Sequence, residues 1–293
     1  MKNENLYYKE SGAVGLIGIV LISVVGLVLS GILGIIYGFA ILFIPFIYLN
    51  FFITLAYGGA IGYSLGKIGY FTKIRNYTVI VIFGVLFGFV AEYFGWVFWI
   101  QAFRDSGAPD FSIFEVFEDM GRIANRGAWS IFGITPTGIA LYIIWIIEAI
   151  MIIGAAVVFA ITGFGSKPFC ERCNSWTDEI NLKSTLNGTS NPIKLVTELE
   201  NKNFDSLIQL ASKESVFRQT RVTLSTCKKC NNEYYLTLND VKVTINDKGK
   251  AEESEDTIVE NLIINKQEFE EIKNLDKIER KKEIKKGKEE EKS

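Results

Sequence analysis

From Ser11 to Gly66 the chain carries no Asp, Glu, Lys or Arg, a run of 56 residues. A helix needs roughly 20 apolar residues to cross a hydrocarbon core of about 30 Å. The run is too long for one crossing and fits two with a tight connection. Gly31, Gly34, Gly38 and Pro45 cluster near its middle, so the break is expected between Gly31 and Pro45. That places spans at 12–34 and 43–66. Two more apolar runs, 78–101 and 139–162, stand alone between polar flanks. The expectation is a membrane α-helical protein with a four-helix transmembrane bundle over 12–163. The first run does not read as a cleavable signal: it is too long, and no small-x-small site followed by polar sequence precedes the next span.

Charge sets the orientation. Lys67, Lys73 and Arg75 crowd the connection between spans two and three. The 102–138 loop carries Arg104, Arg122 and Arg126 against five acids. Lys and Arg accumulate on the cytoplasmic side, so the short basic loop is expected inside and the 102–138 loop outside. Four spans then leave both termini, 1–11 and everything past 163, in the cytoplasm. Within the outer loop, Phe111, Phe114, Phe117, Met120 and Ile123/Ala124 recur at helical spacing. This predicts a short amphipathic helix, lying on the outer membrane surface or capping the bundle.

Glu92 and Glu148 are the acids within the predicted spans. Each lies nine residues from the outer end of its span, about 13 Å deep at 1.5 Å per residue. Asn50, in span two, falls at roughly 10 Å by the same count. An ion or ligand site in that layer is one reading, since intramembrane carboxylates face a bundle interior or water. The plainer reading is a neutral Glu hydrogen-bonded to Asn50, Tyr57 or a backbone carbonyl. Gly58, Gly62 and Gly66, then Gly84 and Gly88, and Gly26, Ser30, Gly34 and Gly38 form i, i+4 rows. Such rows let helices approach closely, within the bundle or in a homo-oligomer. Trp96, Trp99, Trp129 and Trp145 fit an outer aromatic belt.

Past the last span the composition changes. All four cysteines stand in two C-x-x-C pairs, Cys170/Cys173 and Cys227/Cys230, and histidine is absent. Four thiolates complete one tetrahedral metal site, and a cytoplasmic location keeps them reduced. Structural zinc is the expected cofactor. Iron in a sulfur-only site and dithiol redox work are the alternatives. The knuckles sit in F-C-E-R-C-N-S-W (169–176) and T-C-K-K-C-N-N-E-Y-Y-L-T-L (226–238), with strand-like alternation at 216–224 and after Cys230. Strand, knuckle, strand resembles the zinc-ribbon class over roughly 168–245. The 53-residue gap between knuckles exceeds the usual spacing of about 15–20. Leu195, Leu199, Leu207 and Leu210 predict one or two helices inserted at 192–215. A small α+β, zinc-ribbon-like domain is therefore expected over 164–265. Within it, K-G-K-A-E-E-S-E-D is read as a solvated linker and 257–264 as an added strand. The remaining 266–293 holds nine acids and nine bases from Glu268 onward and reads as a charged helical or disordered tail. P-F-I-Y-L-N-F-F (45–52) with P-F-C-E-R-C-N-S-W (168–176) also resembles bacterial polytopic membrane proteins carrying a cytoplasmic ribbon. That resemblance implies a plasma (inner) membrane location and no activity.

A net charge of −2 gives no strong nucleic-acid signal, and no nucleophile–base pair assembles from the sequence. The expected role is a non-catalytic interaction or scaffold protein, in the bilayer, with a cytoplasmic protein partner. A small transporter or channel using Glu92 and Glu148, and a thiol redox protein, are the alternatives.

Overall fold

The computed structural model describes residues 6–44, 46–104, 107–130, 133, 135–182, 186–210, 218–245 and 250–275. Two compact units emerge: Ser11–Ser166, and Lys167–Ser293 together with Met1–Glu10.

The first unit is helical. Its elements are α1 (Leu16–Phe43), α2 (Ile47–Phe71), α3 (Tyr77–Arg104), α4 (Ile113–Arg126) and α5 (Ile139–Phe164). Among the described residues, α1, α3 and α5 are long and apolar enough to cross a membrane. α2 has the length, at 25 residues, but its glycines, its tyrosines, Asn50 and Lys67 dilute its apolar character. The break expected between Gly31 and Pro45 falls at the far end of that window: α1 runs through Gly31, Gly34 and Gly38 and stops at Phe43. Gly34 and Gly38 do not break the helix, because they serve packing, whereas a methyl on Gly31 would meet nothing within 4 Å. Gly26 meets the Phe87 ring, Gly34 meets Phe94, and Gly38 lies against the backbone of Phe98 and Trp99. α1 thus pairs with α3, and α2 pairs with α5. A methyl group on Gly58, Gly62 or Gly66 would collide with the carbonyl oxygens of Ile152, Ala156 and Ala160 in turn. These are the small-residue contacts by which helices approach where apolar burial offers no driving force.

The burial pattern is inverted relative to a water-soluble helix. α1 buries Gly18, Ile22, Gly26, Ser30, Gly34, Tyr37 and Gly38 and exposes Leu27, Val28, Ile32 and Ile35. α2 does the same, with Gly58, Gly62 and Gly66 inside and Leu49, Phe51, Phe52 and Tyr63 outside. A contiguous apolar exterior of this kind suits hydrocarbon.

α4 is capped by Ser112, whose Oγ accepts from the Glu115 N–H. Its buried face differs from the expected stripe. Val116, Ile123 and Ala124 pack with Val97, Ile100, Leu141 and Trp145, whereas Phe111, Phe114 and Phe117 stay exposed. α4 therefore covers the helical unit with one face and exposes Ile113, Phe114 and Phe117 on another, while Phe111, ahead of the helix, meets Phe94 and Phe98 edge-on. Arg104 ties it down through an ion pair to the buried Asp119.

The second unit carries the sheet. Strands β1 (Phe169–Cys170) and β2 (Ser175–Trp176) form a small hairpin. Strands β3 (Asp178–Asn181), β5 (Arg218–Thr226), β6 (Tyr234–Ile245) and β7 (Ala251–Ile264) follow one another across an antiparallel sheet, with β4 (Leu186–Asn187) also on β5. Helices α6 (Pro192–Glu200) and α7 (Asp205–Leu210) occupy the gap between the knuckles, as the leucine pattern predicts. Asn191 caps α6 by accepting from the Lys194 N–H, and Pro192 takes the first turn. Leu195, Leu199, Phe204 and Leu207 join Val222, Leu224, Leu236, Leu238 and Val259 in one core.

Three expected boundaries move. The stretch read as a linker is strand from Ala251 onward, because β7 pairs back to Ile245. Its acids are matched: Arg221 reaches Glu253 and Glu255, and Lys242 reaches Asp256. The domain does not end at 265, since residues 266–275 form a helix, α8. α8 buries Phe269, Ile272 and Leu275 in the same core; the rest of the expected tail lies outside the described residues. Nor is the N-terminal segment 1–11 a separate region. Tyr7 bridges Leu262, the Tyr8 N–H donates to the Asn261 carbonyl at 2.9 Å, and the Tyr7 hydroxyl donates to Glu200 at 2.7 Å. Asn261 adopts φ 53° beside a register shift between β6 and β7, a bulge whose carbonyl receives Tyr8.

Candidate metal centre

Each C-x-x-C pair sits in a tight turn rather than at a helix N-terminus. In the first knuckle, Cys170 pairs with Ser175 and Phe169 with Trp176. The two rings meet edge-on at 5.0 Å, and the Thr177 N–H closes onto the Pro168 carbonyl at 2.9 Å. In the second, the Asn231 N–H donates to the Cys227 carbonyl at 2.8 Å, and the Cys227 N–H to Glu233 at 3.3 Å. Both turns end on an asparagine in the left-handed region, Asn174 at φ 48° and Asn231 at φ 47°. Asn tolerates that conformation better than other residues with a side chain. C-x-x-C-N is thus the local code for a chain reversal that leaves both thiols on one side.

The two knuckles, 57 positions apart from first Cys to first Cys in the sequence, converge. The four sulfurs lie within 4.8 Å of one another, and Cys170 Sγ stands 3.8 Å from Cys230 Sγ. A tetrahedral ion with bonds of about 2.3 Å to sulfur sets its ligands about 3.8 Å apart. A disulfide needs about 2.05 Å, and all four cysteines are free. The donor set and spacing therefore fit a metal ion held by Cys170, Cys173, Cys227 and Cys230. Cys170 and Cys227 are buried, Cys173 and Cys230 half-buried. Burial pushes the Cys170 thiol well above its ordinary range. At Cys227, burial also pushes upward, but the N–H groups of Cys230 and Lys229, with Cys170 and Ser175, outweigh it and bring the thiol down to about 6. One sulfur of the four is thus favoured as thiolate before any ion binds, and binding displaces protons from the others.

The two acids within the apolar helices α3 and α5 form a second constellation. Glu92 (α3) and Glu148 (α5) line one cavity with Tyr37, Ile41, Gly95 and four indoles, Trp96, Trp99, Trp129 and Trp145. Trp96 Nε1 donates to Glu92 at 2.8 Å. The Tyr37 hydroxyl donates to Glu148 and lies 3.2 Å from Thr54 Oγ1. Asn50, expected in the same layer, is not among the walls; its Oδ1 is buried without a hydrogen-bond partner. The Tyr57 hydroxyl donates to the Ala91 carbonyl at 2.8 Å rather than to either acid, while its ring stacks on Tyr37 at 4.5 Å. Tyr37 is the residue that sequence reasoning passed over; the one signal for it was a phenol between Gly34 and Gly38, past the expected end of span one. The four tryptophans expected as a belt all line this cavity.

Comparison with protein-family models, with curated proteins and with solved structures returns no match. Functional reasoning therefore rests on the two constellations themselves.

Proposed function

We propose that this chain is a four-crossing membrane protein holding a zinc-stabilised, ribbon-like domain at the cytoplasmic face of a bacterial plasma membrane, where that domain docks a protein partner. The observation that carries the reading is the convergence of four sulfurs at tetrahedral spacing. Four thiolates leave no open coordination position, so the ion acts as a structural staple rather than as a catalyst. Such a site is compatible with a reducing compartment. Zinc is preferred over iron as the common structural ion of two-knuckle turns.

Chain topology supports the fourth crossing. Residues 7 and 8 hydrogen-bond with 261 and 262 inside one unit. A polypeptide that leaves one domain and returns to it crosses a membrane an even number of times. The three strongly apolar helices make an odd number, and α2, with its exposed Leu49, Phe51 and Phe52, completes the set. Lys67, Lys73 and Arg75 then fall on the same side as both termini, as the positive-inside bias asks.

Metal analysis of the purified full chain tests the centre: one zinc per chain is expected, and iron, or no metal, overturns the assignment. Reporters fused at each terminus test the topology; signals from opposite faces would refute four crossings. Crosslinking in native membranes tests the docking role. A partner captured by wild type and lost with Cys170→Ser supports it, and a partner set indifferent to metal loss argues against it.

A further inference from the structure

The geometry points to a second site: the cavity between α1, α3 and α5 binds a small monovalent cation of the ammonium or short alkylammonium class. Glu92 and Glu148 supply the counter-charge, and the indoles supply the walls.

The first ground is the balance of polar groups. Among the described residues, Glu92 receives one hydrogen bond, from Trp96, and Glu148 one, from Tyr37. Each carboxylate keeps an oxygen without a protein donor. No Lys or Arg lines the cavity, and none lies within α1 or the cavity-lining stretches of α3 and α5. Two carboxylates in a setting this poor in water need a proton or a cation each way they are arranged. They are not merely close in sequence pattern; both line the same cavity.

The second ground is the shape and chemistry of the walls. Trp96 stands nearly perpendicular to Trp99, with centroids 5.5 Å apart at 76°, and to Trp145, 4.8 Å apart at 86°. Indoles meeting edge to face at right angles form one corner of the wall, where a cation can reach an indole face only on the side that its neighbour, and the Phe103 ring stacked on Trp99 at 5.3 Å, leave free. Cations over such faces gain about 0.5–2 kcal/mol per ring. Close packing would be expected to fill this corner with a side chain; among the described residues none does.

Size narrows the ligand. The cavity has ≈ 40 Å³ open to the centre of a water-sized sphere, against about 10–15 Å³ for one water by the same measure. It suits ammonium through tetramethylammonium and is far smaller than the roughly 300–1,000 Å³ of a pocket for a large organic ligand. A divalent metal is a poor fit: calcium seeks six to eight oxygens and magnesium a strict octahedron, whereas here two carboxylates face indoles.

The walls also provide the readout, because four of the five tryptophans line the cavity. Full-length protein in lipid nanodiscs is titrated with ammonium, methylammonium and tetramethylammonium chloride at constant ionic strength, with sodium chloride and tetrabutylammonium as controls. A saturable change in tryptophan emission is expected with the small ammonium ions and not with the controls. Trp176→Phe, outside the cavity, should leave it intact. E92Q/E148Q should weaken binding at least about tenfold, equivalent to about 1.4 kcal/mol. Trp129→Leu, at a partly buried position outside the helices, should weaken it roughly two- to thirty-fold and serves if the double variant does not fold. A non-saturating response, equal saturation by tetrabutylammonium, or unchanged affinity in the variants overturns the site. The metal centre plays no part in this experiment, so the two assignments succeed or fail separately.

Discussion

In α1, Gly26, Ser30 and Gly34 are buried while Leu27, Val28 and Ile32 on the same turns face outward. In the sheet domain, Val222, Leu224 and Leu236 are buried while Arg221 and Thr223 reach solvent. The two units of one chain thus apply opposite rules. In water, burying a leucine is the driving force. Where the surroundings are themselves apolar, that force vanishes, and helices associate through close backbone approach at small residues. The sheet domain is small and holds few layers, and the four cysteines that could hold a metal ion lie beside its sheet.

The largest expected break of this contrast is metal removal. Structural zinc is worth about 10–16 kcal/mol of folding free energy, so chelation or Cys227→Ser should unfold the sheet domain outright. Helical circular dichroism of the 11–166 unit should persist; simultaneous loss of both would tie the two units together. Next comes Leu236→Ala in the sheet core, with an expected cost of about 2–5 kcal/mol, read as a lower denaturation midpoint of the domain. Gly62→Ala, which sets a methyl against the Ala156 carbonyl, should destabilise the α2–α5 pair by about 1–3 kcal/mol. Thermal unfolding in detergent measures it, and a neutral result would mean that α2 and α5 are not in backbone contact. The smallest effect belongs to Val28→Ala on the exposed face of α1, within about 0.5 kcal/mol. A cost there comparable to Leu236→Ala would show that this face is covered by protein.

Much of this was legible in the residues. The charge-free run announced helices, the leucine spacing at 195–210 announced α6 and α7, and the paired C-x-x-C motifs announced a single sulfur cluster. The misread features have specific causes. Gly34 and Gly38 carry the same letters whether they break a helix or pack one, and only Phe94, Phe98 and Trp99 across the contact decide which. The acidic 251–256 segment looks like a linker until Arg221 and Lys242 on the neighbouring strands are seen to pair with it; cross-strand partners have no sequence signature. α8 shows its three-residue spacing plainly, yet the surface that Phe269 and Ile272 cover comes from strands far back in the chain.

The sequence by itself determined which segments suit hydrocarbon and which four atoms can hold a metal. Both follow from residue type: apolarity and thiol chemistry are intrinsic to the side chains. Only the tertiary structure decided that Tyr37, Glu92, Glu148 and four tryptophans meet around one cavity and that the first residues return to β7. Those meetings depend on how helices rotate about their axes and on which strand edge is left open, and both are set by long-range packing rather than by local preference.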